Sequence, residues 1–175
     1  MTDFIDVLDE DGFRTGEVLS RKDIHSLGKL HRAVHLYLFD MQNNILLQRR
    51  TDLVDHYPGA ISISVTGHIM SGEASFAALK REIKEELNLD ADNLDIQFMF
   101  SFRQDKILDF NYIDRQFNDV YFCQHDFKLE EIKFNAQEVA SLELMPFQEF
   151  TELVQRQNLP YKRAVIDLAY FLGFD

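Results

Sequence analysis

Cysteine is almost missing from this chain. Cys123 is the single one, so no disulfide can form within it, which fits a reducing, cytoplasmic compartment. Basic residues are in deficit: 18 Lys and Arg stand against 30 Asp and Glu, a formal net charge of -12. A surface of that sign repels nucleic-acid backbones and anionic membranes, which argues against a nucleic acid polymer or a membrane as partner. Long apolar runs are missing too. The longest, such as "VHLYLF" (34–39), have the length of a strand and cannot span a bilayer. The opening "MTDFIDVLDEDG" has neither a basic region nor an apolar core, so it is not expected to be a signal peptide. Only three prolines punctuate the chain, and no repeat or low-complexity segment is visible.

What is present is enough for one compact domain over residues 1–175, since 46% of the residues are hydrophobic. "FIDVL", "DEDG" and "EVLS" read as a hairpin over 4–20, followed by a helical or irregular connector over 21–30. Residues 33–40, 45–50 and 61–68 read as strands, the last by its alternation in "ISISVTGH". Glu73 to Leu87 reads as a helix with Phe76, Leu79, Ile83 and Leu87 on one face. Residues 94–103 and 116–126 read as strands around a polar, aromatic loop, "QDKILDFNYIDR". A last strand over 138–147 precedes two closing helices. The second of these carries an apolar stripe (Val165, Leu168, Ala169, Leu172), read as an intrachain docking face with a homodimer seam as the alternative. This order suggests an α+β domain or an α/β sandwich, not a doubly wound parallel sheet.

The stretch "GHIMSGEASFAALKREIKEELNL" crowds Glu82, Glu85 and Glu86 at spacings of three and four, which puts all three carboxylates on one helix face. An ordinary solvated face, with Lys80, Arg81 and Lys84 pairing to the glutamates, would read similarly. Two like charges 4 Å apart repel by about 4 kcal/mol at an effective dielectric of 20. A hard divalent cation, which wants oxygen ligands, turns that repulsion into attraction. Because the apolar residues take a different face, the carboxylates are expected to lie outside the core.

The wider spacing is Gly67, five residues, Glu73, seven residues, Arg81-Glu82, Ile83, one residue, Glu85-Glu86, one residue, Asn88 and Leu89. It resembles the Nudix box, Gly-x5-Glu-x7-Arg-Glu-U-x-Glu-Glu-x-Gly-U with U apolar, at every defining position except Asn88, where that family has Gly. Chance would produce so many matches on the order of once in a million chains. The resemblance implies an α/β/α sandwich with a mixed central sheet, over a core of 31–157. Residues 1–30 would be an N-terminal hairpin extension and 158–175 a C-terminal helix. It also implies hydrolysis of a diphosphate bond in a nucleoside diphosphate linked to another moiety, or a related organic diphosphate, by water attack at phosphorus with Mg2+ or Mn2+. Glu82, Glu85, Glu86 and the backbone carbonyl near Gly67 would hold the metal. Arg81 would pair with Glu73 and hold the catalytic glutamate. Glu82 or, second, Glu138 would be the general base.

Arg49, Arg50 and Arg103 are candidates to bind the substrate phosphates, with Lys106 and Arg115 nearby. Phe110, Tyr112 and Phe117 could stack on a ring of the substrate. The loops over 51–60 and 103–117 are the expected seat of substrate choice. The segment from "LHRAVHLYLFD" to "YPGAISISVTGHI" also resembles the isopentenyl diphosphate isomerase branch of the same superfamily, as does the N-terminal hairpin. His31 and His68 fall where that branch has metal ligands, while His25 is one residue out of register. Thr66 stands where the isomerases have a catalytic Cys, and a hydroxyl cannot readily replace a thiol in proton transfer. The chain is therefore read as a hydrolase of that branch. His31, His35 and His68 are read as strand histidines with satisfied hydrogen bonds. A nucleotide-binding module without catalysis is the third reading, and the retention of every box glutamate speaks against it.

Overall fold

The computed structural model describes residues 3–54 and 57–174. Its first strands are β1 (Phe4–Leu8) and β2 (Arg14–Ser20), paired antiparallel as the expected hairpin. The connector folds into a short helix, α1 (Arg21–Ser26), whose N-cap Ser20 accepts a hydrogen bond from Asp23 N. Ile5, Val7 and Ile24 form a small core of their own. Backbone bonds from Leu8 N to Leu30 O and from Ser71 N to Phe4 O join this unit to the rest.

The main sheet contains β3 (His31–Phe39), β4 (Asn44–Arg50), β5 (Ile61–Ser62), β6 (Val65–His68), β7 (Ile96–Asp109), β8 (Tyr112–Gln124) and β9 (Val139–Pro146). β3 and β8 run parallel and the other pairings are antiparallel, so the sheet is mixed. Alternation along β3 feeds two cores. Val34, Leu36 and Leu38 meet Ala78, Leu79, Ile83 and Leu87 of α2 (Ser75–Leu87). Tyr37 and Phe39 meet Phe150 and Val154 of α3 (Phe147–Gln157) and Val165 and Leu168 of α4 (Lys162–Leu172). The result is an α/β/α sandwich, and the apolar stripe of α4 is an intrachain packing face. Among the described residues, no helix is long and apolar enough to cross a membrane.

Three expectations are corrected. Residues 61–68 are not one strand: β5 pairs with β4, while β6 pairs with β3. At the break, the Ser64 hydroxyl donates to Leu46 O at 2.6 Å and accepts from Leu38 N at 2.8 Å. One side chain thus replaces the ladder bonds that diverging strands cannot make. The loop expected over 104–115 is a continuation of β7 and β8, paired from Gln104–Gln116 to Asp109–Tyr112 with a one-residue register shift after Ile107. Its polar residues belong to strands with a solvent-facing side, which composition alone reads as a loop. Phe76 does not join the buried stripe of α2. It sits at the stripe's margin in the first turn, 41% exposed, against Tyr121 and beneath Lys80.

Helix α2 ends at Asn88, whose φ of 52° and ψ of 25° lie in the left-handed region while its N–H bonds to Lys84 O. Gly adopts this conformation most readily and Asn comes next, so the departure from the box motif keeps its geometry. Asn88→Gly is expected to leave stability within a few tenths of a kcal/mol, and Asn88→Ala to cost about 1 kcal/mol. Urea unfolding of both variants checks this; equal midpoints for the two would contradict it.

Candidate active site

The buried residues of α2 are Ala78, Leu79, Glu82, Ile83, Glu86 and Leu87. Each turn of the helix contributes an adjacent pair, so two of the three glutamates fall inside the apolar stripe. Glu82 is 8% exposed and Glu86 3%, which corrects the expectation that the carboxylates stand outside the core. Glu82 and Glu86 are buried where the stripe opens on a cavity of about 420 Å³ that Glu82, Glu85 and Glu86 all line.

Gly67 on β6 makes this approach possible. A Cβ built there would lie 2.1 Å from Glu82 Cδ and 2.2 Å from its Oε1. No left-handed backbone is involved; the constraint is the carboxylate itself, packed against the strand.

Arg81 organises the acids. Its Nε and Nη2 donate to the two oxygens of Glu73, both at 3.0 Å, and Nη2 also donates to His68 O at 3.0 Å. Nη1 donates to Glu82 Oε1 at 2.6 Å and to Glu85 Oε2 at 3.3 Å. Glu73 Oε2 further accepts from Met70 N at 3.0 Å. The expected Arg81–Glu73 pair is therefore present, together with contacts to Glu82 and Glu85. Burial works against the charge on Glu73, but the Arg81 and Met70 bonds outweigh it and hold its pKa below the usual carboxylate value. Glu82 goes the other way. Burial, with help from Glu85 and Glu138, outweighs Arg81 and lifts its pKa to about 7. Glu86 is raised as well, by burial and then by Glu82, against the pull of Gln48.

Other expected residues divide. Arg50 and Glu138 line the cavity; Glu138 is exposed at its rim and accepts from Asn135 Nδ2 at 3.1 Å. Arg49 and Arg103 are not brought to it. Arg49 follows the alternation of β4 to the opposite side and donates to Gly59 O. Arg103 is held by Asp105 and Glu10, and Arg115 by Glu10 and Gly28 O, so these two arginines clamp the N-terminal hairpin to β7 and β8. Of the three aromatic candidates Tyr112 lines the cavity. Phe110 is exposed at the hairpin tip and Phe117 lies under Arg32. From the segment 103–117 expected to set substrate choice, Gln104, Tyr112, Asp114 and Gln116 reach the cavity. Part of the other segment, Asp55 and His56, lies outside the described residues.

A second group lies behind one wall of the cavity, which it reaches through His68 and Asp114. His25, His31 and His68 place a ring nitrogen each within 4.8 Å of one another, and all three are buried. His25 is thus in position despite its offset in sequence, because α1 carries it in from outside the sheet. Its Nε2 and that of His31 both lie 3.8 Å from Asp114 Oδ1. Buried Asp114 Oδ1, His31 Nε2 and His35 Nδ1 make no hydrogen bond, which corrects the reading of these strand histidines as satisfied. Burial lowers the pKa of His31 and of His35 to about 4 and raises that of Asp114 to about 6. Sequence reasoning missed Asp114 because its segment read as a loop. It missed Gln48, the buried partner of Glu86, because nothing marks one glutamine in a strand.

The carboxylate donor set suits a hard divalent ion: three glutamates on one cavity, two of them with a burial penalty on ionisation that a cation would offset.

A NUDIX domain profile matches residues 29–168. "Nudix hydrolase 3" of Arabidopsis thaliana is 32% identical over 174 residues, covering 97% of this chain; the chain spans only 22% of that protein's length. An "Isopentenyl-diphosphate Delta-isomerase" of Rhizobium rhizogenes is 32% identical over 166 residues, covering 93% of this chain and 78% of the relative. Among solved structures, DR0079 from Deinococcus radiodurans superposes with a TM-score of 0.73 at 24% identity, covering 88% of this chain and 90% of that one.

Two outcomes are expected of the bare protein. Between pH 4.5 and 7 the folded chain keeps a proton on Glu82 that the unfolded chain has released, so this contribution to stability is present on the acid side and lost as pH rises toward 7. Glu82→Gln should therefore gain on the wild type by about 2 kcal/mol across that window, read as unfolding free energies in a chelator; parallel curves would refute it. Gly67→Ala should destabilise by about 1–3 kcal/mol. That cost should vanish in a Glu82→Ala background, and persistence of the full cost would show that Glu82 is not the obstacle.

Proposed function

This chain belongs to the NUDIX domain family, and on that premise we propose that it hydrolyses a diphosphate bond. The substrate class is a nucleoside diphosphate linked to another moiety, or a related organic diphosphate, with water attacking phosphorus and Mg2+ or Mn2+ as cofactor. The observation that carries this reading is the convergence of Glu82, Glu85 and Glu86 on one cavity under the Arg81 clamp. Residues 31–157 would form the working core, with 1–30 as an extension and 158–175 as a closing helix.

Glu82, Glu85, Glu86 and the carbonyl of Gly67 would hold the cation. When bound, it neutralises charge on the phosphates and makes water a better nucleophile. In an acidic protein the diphosphate would otherwise be repelled. Glu82, inside the cavity, is the first choice of general base. Glu138 at the rim is the second choice. Arg81 and Glu73 keep Glu82 against Gly67, and Arg50 is the arginine placed to meet a phosphate.

The cluster of His25, His31, His68 and Asp114 favours a second reading, an isomerase-like acid–base reaction on a prenyl diphosphate. Thr66, where a thiol would be needed, speaks against it. A panel decides: nucleoside diphosphate sugars, dinucleoside polyphosphates, nucleoside triphosphates and prenyl diphosphates, with Mg2+ in 18O-labelled water. The expected result is hydrolysis with label in a phosphate product, lost in Glu86→Gln. Double-bond migration in isopentenyl diphosphate without hydrolysis would establish the isomerase instead. Tight binding without turnover of any member would make the chain a binding module.

A further inference from the structure

Gln48 lies on β4, which puts it on the same side of the sheet as Leu46 and therefore facing α2. It is 3% exposed, and its amide nitrogen holds two acceptors. Nε2 donates to Ser64 O at 2.7 Å and to Glu86 Oε2 at 2.6 Å. Both acceptors are oxygens, so the amide admits one orientation: turned over, it would set its own oxygen against a carbonyl and a carboxylate. Ser64 is itself fixed, since its hydroxyl joins Leu46 O to Leu38 N across the strand break. A rigid chain thus runs from the backbones of β3 and β4 through Ser64 and Gln48 to one oxygen of Glu86. Among the described residues, none donates a hydrogen bond to Glu86 Oε1.

We propose that Gln48 is a positioning residue for the cation site: it fixes the Glu86 carboxylate by occupying Oε2, so that Oε1 alone is presented to the cation. The inference rests on the reading of Glu82, Glu85 and Glu86 as cation ligands. Arg81 orients Glu82 and Glu85 but makes no contact with Glu86. Glu86 is buried, deep in the stripe of α2, and among the described residues Gln48 is the side chain that bonds its carboxylate. A ligand restrained through one oxygen meets a cation without losing rotamer freedom at that moment, which is the usual benefit of an outer partner on a metal ligand. A neutral amide does this without adding an opposite charge that would compete with the cation.

The test is Mn2+ affinity of the full chain, followed by electron paramagnetic resonance titration, alongside circular dichroism and the metal-free unfolding midpoint. Gln48→Met keeps the length and loses both donors; Gln48→Asn keeps the amide but withdraws it, and serves if the first variant does not fold. Either folded variant is expected to bind Mn2+ about 10–100-fold more weakly than wild type. In a Glu86→Gln background the same substitution should cause no further loss. Weakening of stability with Mn2+ affinity within twofold of wild type would reduce Gln48 to a structural role and overturn the inference, leaving the cation site standing. If wild type and Glu86→Gln bind Mn2+ equally, the cation-site reading fails and the inference falls with it.

Discussion

The structure turns on two carboxylates kept inside the apolar stripe of a helix. Glu82 and Glu86 share the buried side of α2 with Ala78, Leu79, Ile83 and Leu87. Burial penalises their charge, and both stand above the ordinary carboxylate pKa. Such an arrangement persists only when neighbours over-determine it. Gly67 removes the atom that would collide with Glu82, Arg81 bonds it from the helix side, and Gln48 holds Glu86 from the sheet. Glu73 in turn binds Arg81 with both oxygens, so each group that faces the cavity is backed by another that does not.

The break between β5 and β6 belongs to the same arrangement. β3 gives its first half to β6 and its last residues to β4, so the strands part near Ser64. Beside the break, Gln48 of β4 bonds both the Ser64 carbonyl and Glu86. The polar atoms exposed by the break are used: Ser64 closes it with its hydroxyl and offers its carbonyl to Gln48. Strand separation and the support of Glu86 share the Ser64 residue, and the loss of regular pairing is offset by side-chain bonds.

The cavity has two poles of different chemistry. The glutamates of α2 offer hard oxygen donors; His68 and Asp114 line the other side, backed by buried His25 and His31. The relatives named as a hydrolase and as an isomerase share this chain's sequence to the same degree, 32%. What separates the two reactions is therefore sought in single residues such as Thr66, not in the fold.

Much was legible before any coordinates. The spacing from Gly67 to Leu89 placed the helix, its three neighbouring glutamates and its Arg81–Glu73 pair, because fixed helical geometry converts spacing into facing. The β-branched and aromatic residues of "AVHLYLFD" marked the central strand. Arg49 and Arg50 could not be told apart as neighbours in a string, yet a strand sends them to opposite sides. The hairpin over 104–115 stayed hidden because its polar residues pair through backbone bonds, which composition does not record. Local periodicity thus determined the elements and the acidic motif. Only the tertiary structure decided which carboxylates are buried, that three histidines far apart in the chain converge, and that Gln48 touches Glu86, because those facts depend on how separate elements pack and not on the period of any one of them.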